Sequence, residues 1–225
     1  MKTLGARAWT SMLVLAVITS ALLFVPAGTL RYWQAWVYLA VFVGCSALTT
    51  VDLIRRDPAL LERRLRGGPA AEKRPAQRVI MAFMSVGFAL LMLVPALDRR
   101  FGWSAVPPVA SLFGDALMVL GFAGIARVYR ENPFSAATVE LAPDQRVIST
   151  GPYAVVRHPM YAFALLYLVG TPLALASWWA FIPLAAMLPF LWWRLLDEER
   201  LLERELPGYR EYRQRVRYRL LPFVW

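Results

Sequence analysis

The chain has one cysteine, one histidine and few charges for its length of 225 residues. The single cysteine, Cys45, excludes a multi-cysteine zinc site and any intrachain disulfide. It lies inside an apolar run, where a thiol reads as buried and inert. Charged residues make up only 18% of the chain and hydrophobic residues 59%, which excludes an ordinary soluble domain. No internal repeat, low-complexity tract or separate soluble domain is visible.

What is there instead is a series of apolar runs. A hydrocarbon core about 30 Å thick needs roughly 20 apolar residues per helical span, so six spans fit this length. The first is Ala8–Val25, closed by Pro26-Ala27-Gly28. Lys2 and Arg7 before it imitate a signal peptide. The run is too long for an apolar signal region of roughly 7–15 residues, so it reads as a retained helix. The second span is Trp33–Val51, entered through Tyr32, Trp33 and Trp36, aromatic residues suited to a membrane interface. Asp52–Arg78 is a basic stretch with interleaved leucines. It reads as a solvated loop beside anionic headgroups, or as a helix lying at the interface. Val79–Leu97 and Val109–Tyr129 are the third and fourth spans. Met160–Trp193 is too long for one span and reads as a hairpin of Met160–Leu175 and Trp178–Leu195, turning near Ala176-Ser177. Asp197–Trp225 is highly charged, with helical character expected as far as Arg217. The expected fold is therefore an all-α polytopic membrane helix bundle of about six spans. Residues 1–130 supply four helices, and residues 131–225 form a second, motif-bearing region.

The net charge of +10 has a topological meaning. On this arrangement 22 of the 25 lysines and arginines fall on one side of the membrane; only Arg31, Arg99 and Arg100 fall on the other. That is the positive-inside pattern, which places both termini and both long polar segments in the cytoplasm. The basic charge then serves topology and contact with anionic lipids rather than nucleic acid. A plasma, inner or endoplasmic-reticulum-type membrane is expected.

One polar passage interrupts the apolar half: Ser149–Tyr161, S-T-G-P-Y-A-V-V-R-H-P-M-Y. It gathers Tyr153, Arg157, Tyr161 and the only histidine, His158. Pro159 suits the first turn of a helix, where a missing N–H is harmless. His158 could cap that helix or serve a site. After the hairpin, W-R-L-L-D-E-E-R sets Arg194 and Glu198 at i and i+4, either a surface ion pair or part of the same site. The hairpin starts and ends on one face, so the two passages must meet there.

These passages, R-V-I-S-T-G-P-Y-A-V-V-R-H-P-M-Y and D-E-E-R-L-L-E-R-E-L-P-G-Y-R-E-Y-R-Q-R-V, resemble the isoprenylcysteine carboxyl methyltransferase family over about Asn132–Trp225. Related membrane methyltransferases act on phospholipid amines and small thiols. The resemblance implies S-adenosylmethionine bound at the cytoplasmic face without a Rossmann domain, and the chain has no G-x-G-x-x-G after a strand. It implies cofactor contacts from Gln145, Arg146, Val147, Ile148, Tyr153, His158, Pro159, Met160, Tyr161 and Glu198, with Arg194 facing the acceptor. Gln145 departs from the histidine of the eukaryotic enzymes. The stretch L-P-G-Y before Tyr209 and Tyr212 is one residue shorter than the family pattern.

Transfer from a sulfonium needs alignment and dryness more than a base. A carboxylate acceptor is already an anion and needs a cation to hold it, for which Arg194 is available. An amine acceptor would instead need to be neutral, beside a base or carboxylate. The expected acceptor is therefore a lipophilic, prenylcysteine-like carboxyl arriving through the bilayer, with a phospholipid amine or a small thiol as alternatives. A non-catalytic membrane protein or transporter would place charges deep within spans; Ala8–Leu97 has none in its span centres.

Overall fold

A computed structural model describes residues 2–142 and 144–224; Met1, Pro143, Trp225 and the Lys2 side chain lie outside the described residues, as do the outer ends of the two expected regions. Eight α-helices follow one another: α1 (Lys2–Ala27), α2 (Trp33–Arg56), α3 (Pro58–Leu65), α4 (Pro75–Phe101), α5 (Pro108–Glu131), α6 (Pro159–Ala174), α7 (Phe181–Glu205) and α8 (Tyr209–Arg215). Single 3₁₀ turns lie at Pro69–Ala71 and Gly151–Ala154. No strand occurs among the described residues. The expected all-α membrane bundle is what forms.

Local chemistry sets the helix starts. Pro58, Pro75, Pro108 and Pro159 each stand in the first turn of their helices, where proline costs no hydrogen bond. Asp57 caps α3 by accepting from the Leu60 N–H at 2.8 Å. By length and composition α1, α2, α4 and α5 can each cross a membrane, whereas α6 is a shorter apolar helix of 16 residues. Inside lipid the helix is required, because every backbone polar group must find its partner within the segment.

Helix α1 packs on α2 and α4, α4 packs on α7, and α5 packs on α2 and α6. Leu23, Tyr38, Leu91, Met92 and Met118 are buried at the centre. The α5–α6 seam is closed by glycines. A Cβ on Gly114 would stand 2.3 Å from the Ala174 nitrogen, and one on Gly121 would stand 2.9 Å from the Phe163 oxygen. Two backbones can approach this closely only where one side has no side chain.

The two ends of the bundle differ. At one end, Ala8 of α1, Leu53 of α2, and Leu60 and Leu61 of α3 form a small cluster against Tyr129 of α5. The basic termini and connections gather there. At the other end the buried Asp98 accepts from the Ser104 N–H (2.7 Å), the Ser104 hydroxyl (2.6 Å) and the Ser177 hydroxyl (2.5 Å). The Tyr32 hydroxyl donates to the Leu175 carbonyl at 2.6 Å. These bonds tie the α4–α5 connection to the α6–α7 turn.

Two expectations need correction. The stretch Asp52–Arg78 is not a solvated loop throughout, because helices occupy most of it. Helix α2 runs on to Arg56, and Leu60 and Leu61 of α3 are buried against α1 and α5. The C-terminal helix does not run unbroken to Arg217. Helix α7 ends at Glu205, Gly208 takes a left-handed φ of 82°, and α8 closes at Arg215. Pro207, lacking an N–H, together with Gly208 makes this break. Beyond it the chain is extended, and the Arg157 and His158 N–H groups donate to the Tyr218 and Arg219 carbonyls, each at 2.9 Å.

Gly114→Val is expected to cost more than the roughly 1–3 kcal/mol of ordinary overpacking, because the obstacle is backbone. Gly44, with nothing within 4 Å of an added Cβ, is the control. Thermal unfolding in detergent should show a large loss for Gly114→Val and little for Gly44→Val.

Candidate active site

The described residues among 132–148 carry no regular structure and form a lid over the basic end of the bundle. Its backbone is held by side chains from elsewhere. Arg63 donates to the Pro133 carbonyl, Arg64 Nη1 to the Ala136 carbonyl at 2.7 Å, and Arg194 Nη2 to the Ala137 carbonyl at 2.8 Å. The Val139 N–H donates to Glu72 Oε2 at 3.2 Å, and Lys73 pairs with Glu140 at 2.7 Å. Burial of Glu140 is outweighed by the hydrogen bonds from Lys73 and Thr138 and the nearby cations, so its carboxyl is held below the usual range. The lid leads into the turn at Gly151. There φ is +55°, and a Cβ would stand 2.6 Å from the Glu131 carboxylate, so only glycine fits.

Toward the C-terminal end of α7 three adjacent acids point three ways, as a pitch of 3.6 residues per turn requires. Asp197 accepts from Arg74 at 2.8 Å and Gln77 at 2.6 Å. Glu198 accepts from the Tyr161 hydroxyl at 2.5 Å. Glu199 accepts from Arg157 Nε at 2.7 Å and Arg219 Nε at 2.8 Å. Arg157 also donates to the Val216 and Arg217 carbonyls, which fastens the C-terminal strap behind His158. Burial would raise the Glu199 carboxyl, but the contacts with His158, Arg219 and Arg157 outweigh it and hold it well below the carboxylate range.

One cavity of about 370 Å³ lies beneath the lid, within the size range of small-molecule sites. Gln145, Arg146, Val147, Ile148, Tyr153, His158, Met160, Tyr161, Arg194 and Glu198 all line it. Pro159 does not; it is buried in the first turn of α6. Gln145 turns back on its own chain, its Oε1 accepting from the Ala142 N–H at 3.0 Å. His158 stands at the cap position of α6, but its side chain makes no capping bond. Its Nε2 lies 3.7 Å from Glu199 Oε1, too far for a hydrogen bond, and is buried without a partner. The Tyr209 hydroxyl is also buried without a partner. Tyr153 donates no cap; its hydroxyl accepts from Asn132 Nδ2 at 2.8 Å. Burial raises the phenols of Tyr153, Tyr209 and Tyr212, with the negative charges of Glu199 and Glu198 adding to the rise at Tyr209. At neutral pH these groups are hydrogen-bond donors, not bases.

Of the two readings open for Arg194 and Glu198, the i, i+4 ion pair is not found among the described residues. Arg194 Nη1 donates instead to Glu72 (2.8 Å) and Gln77 (2.7 Å). Sequence reasoning missed Glu72 and Gln77, which come from the stretch read as a loop. The only available signal was an acid and an amide within a basic tract. Tyr209 and Tyr212, which the shortened L-P-G-Y left open, both line the cavity, while Glu199 stands behind it.

The cavity is polar under the lid and apolar below. Met81 and Met84 of α4, Ile125 of α5, Ala164 and Leu168 of α6 and Leu191 of α7 line its lower part. Orphaned polar atoms above and apolar walls below give the cavity an amphipathic lining.

Residues 109–207 match the family model described as phospholipid methyltransferase. The match runs from α5 through the lid and α6 to the end of α7, less than half of the chain, and supports an integral-membrane methyltransferase. No curated protein matches the chain.

Glu199→Ala should cost about 3–5 kcal/mol, because it leaves the buried Arg157 unpaired. A carboxyl depressed on folding contributes stability that is complete above its ordinary value of 4.5 and is lost as pH falls below it. Thermal unfolding in detergent should therefore converge for wild type and Glu199→Ala as pH falls from neutral to about 3.

Proposed function

We propose that the chain is an S-adenosylmethionine-dependent methyltransferase that methylates the head group of a lipophilic acceptor held in the bilayer. The observation that carries this reading is the cavity beneath the lid, with His158 Nε2 and the Tyr209 hydroxyl lacking hydrogen-bond partners at its polar end and an apolar floor. S-adenosylmethionine, when bound, supplies a methyl group already activated on a sulfonium. The chain's own task is to bind, align and exclude water. Glu198 suits a ribose hydroxyl or an amino group. His158 and Tyr209 offer polar atoms with no hydrogen-bond partner within the protein. Arg146 and the backbone of Val147 and Ile148 wall the polar side, and Tyr153 and Tyr161 offer ring faces that favour a cation by about 0.5–2 kcal/mol. Gln145 and Met160 complete the wall, and Pro159 sets the start of α6. The bundle end that carries both termini and most of the basic residues faces the cytoplasm on this reading, following the positive-inside pattern.

Two finer acceptor assignments rest on two observations. Carboxyl O-methylation of a prenylcysteine-like acceptor rests on the resemblance of the two motif passages, with Arg194 at the acceptor wall. N-methylation of a phospholipid amine rests on the family match, and it is favoured by the pairing of Arg194 with Glu72, which neutralises the cation a carboxylate would need. S-methylation of a small thiol leaves the apolar floor without a use. A transporter reading has one point in its favour: Asp115, buried within α5, has both carboxyl oxygens unpartnered. Asp115 does not line the cavity, so no path connects it to the site.

Calorimetry of the full chain in detergent should show saturable binding of S-adenosylhomocysteine. Glu198→Ala and His158→Ala should each weaken it by roughly tenfold or more, the worth of one good polar contact. Absence of saturable binding to the wild type would overturn the methyltransferase reading. A radiolabelled methyl assay separates the acceptors: base-labile product marks a carboxyl ester, base-stable product an amine or thioether.

A further inference from the structure

Four arginines line the cavity, and they are not equivalent. Arg157 is paired with Glu199 and Arg194 with Glu72, each at hydrogen-bond distance and each largely buried. Their charges are answered within the protein. Arg64 and Arg146 have no carboxylate within ion-pair distance among the described residues. Arg146 belongs to the lid, next to Val147 and Ile148. Arg64 belongs to α3, on the opposite wall.

The position of Arg64 is specific. Its guanidinium carbon lies 5.1 Å from the centroid of the Tyr129 ring, and its Nη1 donates to the Ala136 carbonyl. Tyr129 stands one turn beyond Ile125 on α5, and both line the cavity. Arg64 is therefore fixed by a ring on one side and the lid on the other, half-buried, where the apolar floor gives way to the polar roof. Its stem covers apolar surface while its head stays at the polar boundary. A guanidinium has five N–H donors, and the contact with Ala136 uses one. An amphipathic molecule with its chain among Met81, Met84 and Ile125 would bring its head group to this height.

We propose that Arg64 is the residue that reads an anionic group on the lipophilic acceptor, and that Arg194, already neutralised by Glu72, is not. This rests on the methyltransferase reading for the word acceptor, but the binding it claims does not. The shared chemistry is an oxyanion on an amphiphile, which either a phosphodiester or a carboxylate supplies. Arg64 lies outside the matched residues 109–207, so acceptor recognition is contributed by the N-terminal half, while the cofactor wall comes from the C-terminal half.

The test is binding, not turnover. The full chain in a neutral detergent is titrated with lysophosphatidylglycerol, with N-acetyl-S-farnesylcysteine and with a neutral monoacylglycerol. Wild type should prefer at least one of the two anionic amphiphiles over the neutral one by roughly tenfold, and which one it prefers names the oxyanion. Arg64→Gln should lower that preference to near unity while keeping its affinity for S-adenosylhomocysteine within about twofold. Arg64→Lys, which keeps the charge, should retain part of it. Arg146→Gln should retain all of it and weaken S-adenosylhomocysteine instead. The proposal is overturned if wild type shows no anionic preference, or if Arg64→Gln keeps it. It is also overturned if Gln and Lys variants lose amphiphile and S-adenosylhomocysteine binding together, which would make Arg64 a strut of the lid. Anionic preference lost in Arg64→Gln supports the proposal even where wild type binds no S-adenosylhomocysteine; that second result removes only the methyl-transfer reading.

Discussion

The guanidinium of Arg194 is the point on which the lid-bearing end of the bundle depends. It grows from α7, takes Glu72 and Gln77 from the connection before α4, and holds the Ala137 carbonyl of the lid. Three stretches far apart in sequence meet on one side chain. Gln77 then reaches on to Asp197 one turn further along α7, and Asp197 takes Arg74. Such a network is stable only when every member is satisfied, since an unpaired charge at this burial costs several kcal/mol. The lid has no regular structure of its own, so these side-chain donors are what fix it over the cavity.

The bilayer explains why the polar groups collect as they do. In hydrocarbon the helices must satisfy their own backbones, and close contact between them is made by small residues such as Gly114 and Gly121. Polar side chains are then concentrated at the two ends. One end uses Asp98 and its serines to tie the connections together. The other leaves space between α4, α5, α6 and α7 and roofs it with the lid. A cavity with a wet roof and a dry floor is the result, and it is the feature from which the functional reading grows.

Much of this was legible residue by residue. Pro159 announces the start of α6, and Ala176-Ser177 marks the hairpin turn between α6 and α7. Ten of the eleven residues proposed for the site line one cavity, because the hairpin returns the chain to the face it left. Other features were not legible. Leucines among arginines in α3 suit an interface as well as a buried contact, and only the neighbours Ala8 and Tyr129 decide between them. Pro207-Gly208 could be read as a break only once the strap at residues 216–219 was seen to need one.

The sequence by itself determined where the apolar helices fall, the end at which the basic residues gather, and the two passages that must meet, though of six expected spans four are long and apolar enough to cross a membrane among the described residues. Periodicity, proline placement and charge count are local properties, and hydrocarbon enforces them. Only the tertiary structure decided who pairs with whom. Arg194 takes Glu72, 122 residues away, in place of Glu198 one turn away. Arg157 in the cavity wall pairs with Glu199 behind it, and His158 Nε2 in the same wall is left without a hydrogen-bond partner. Pairing in a buried polar network depends on distances across packed helices, and no spacing along one chain segment contains them.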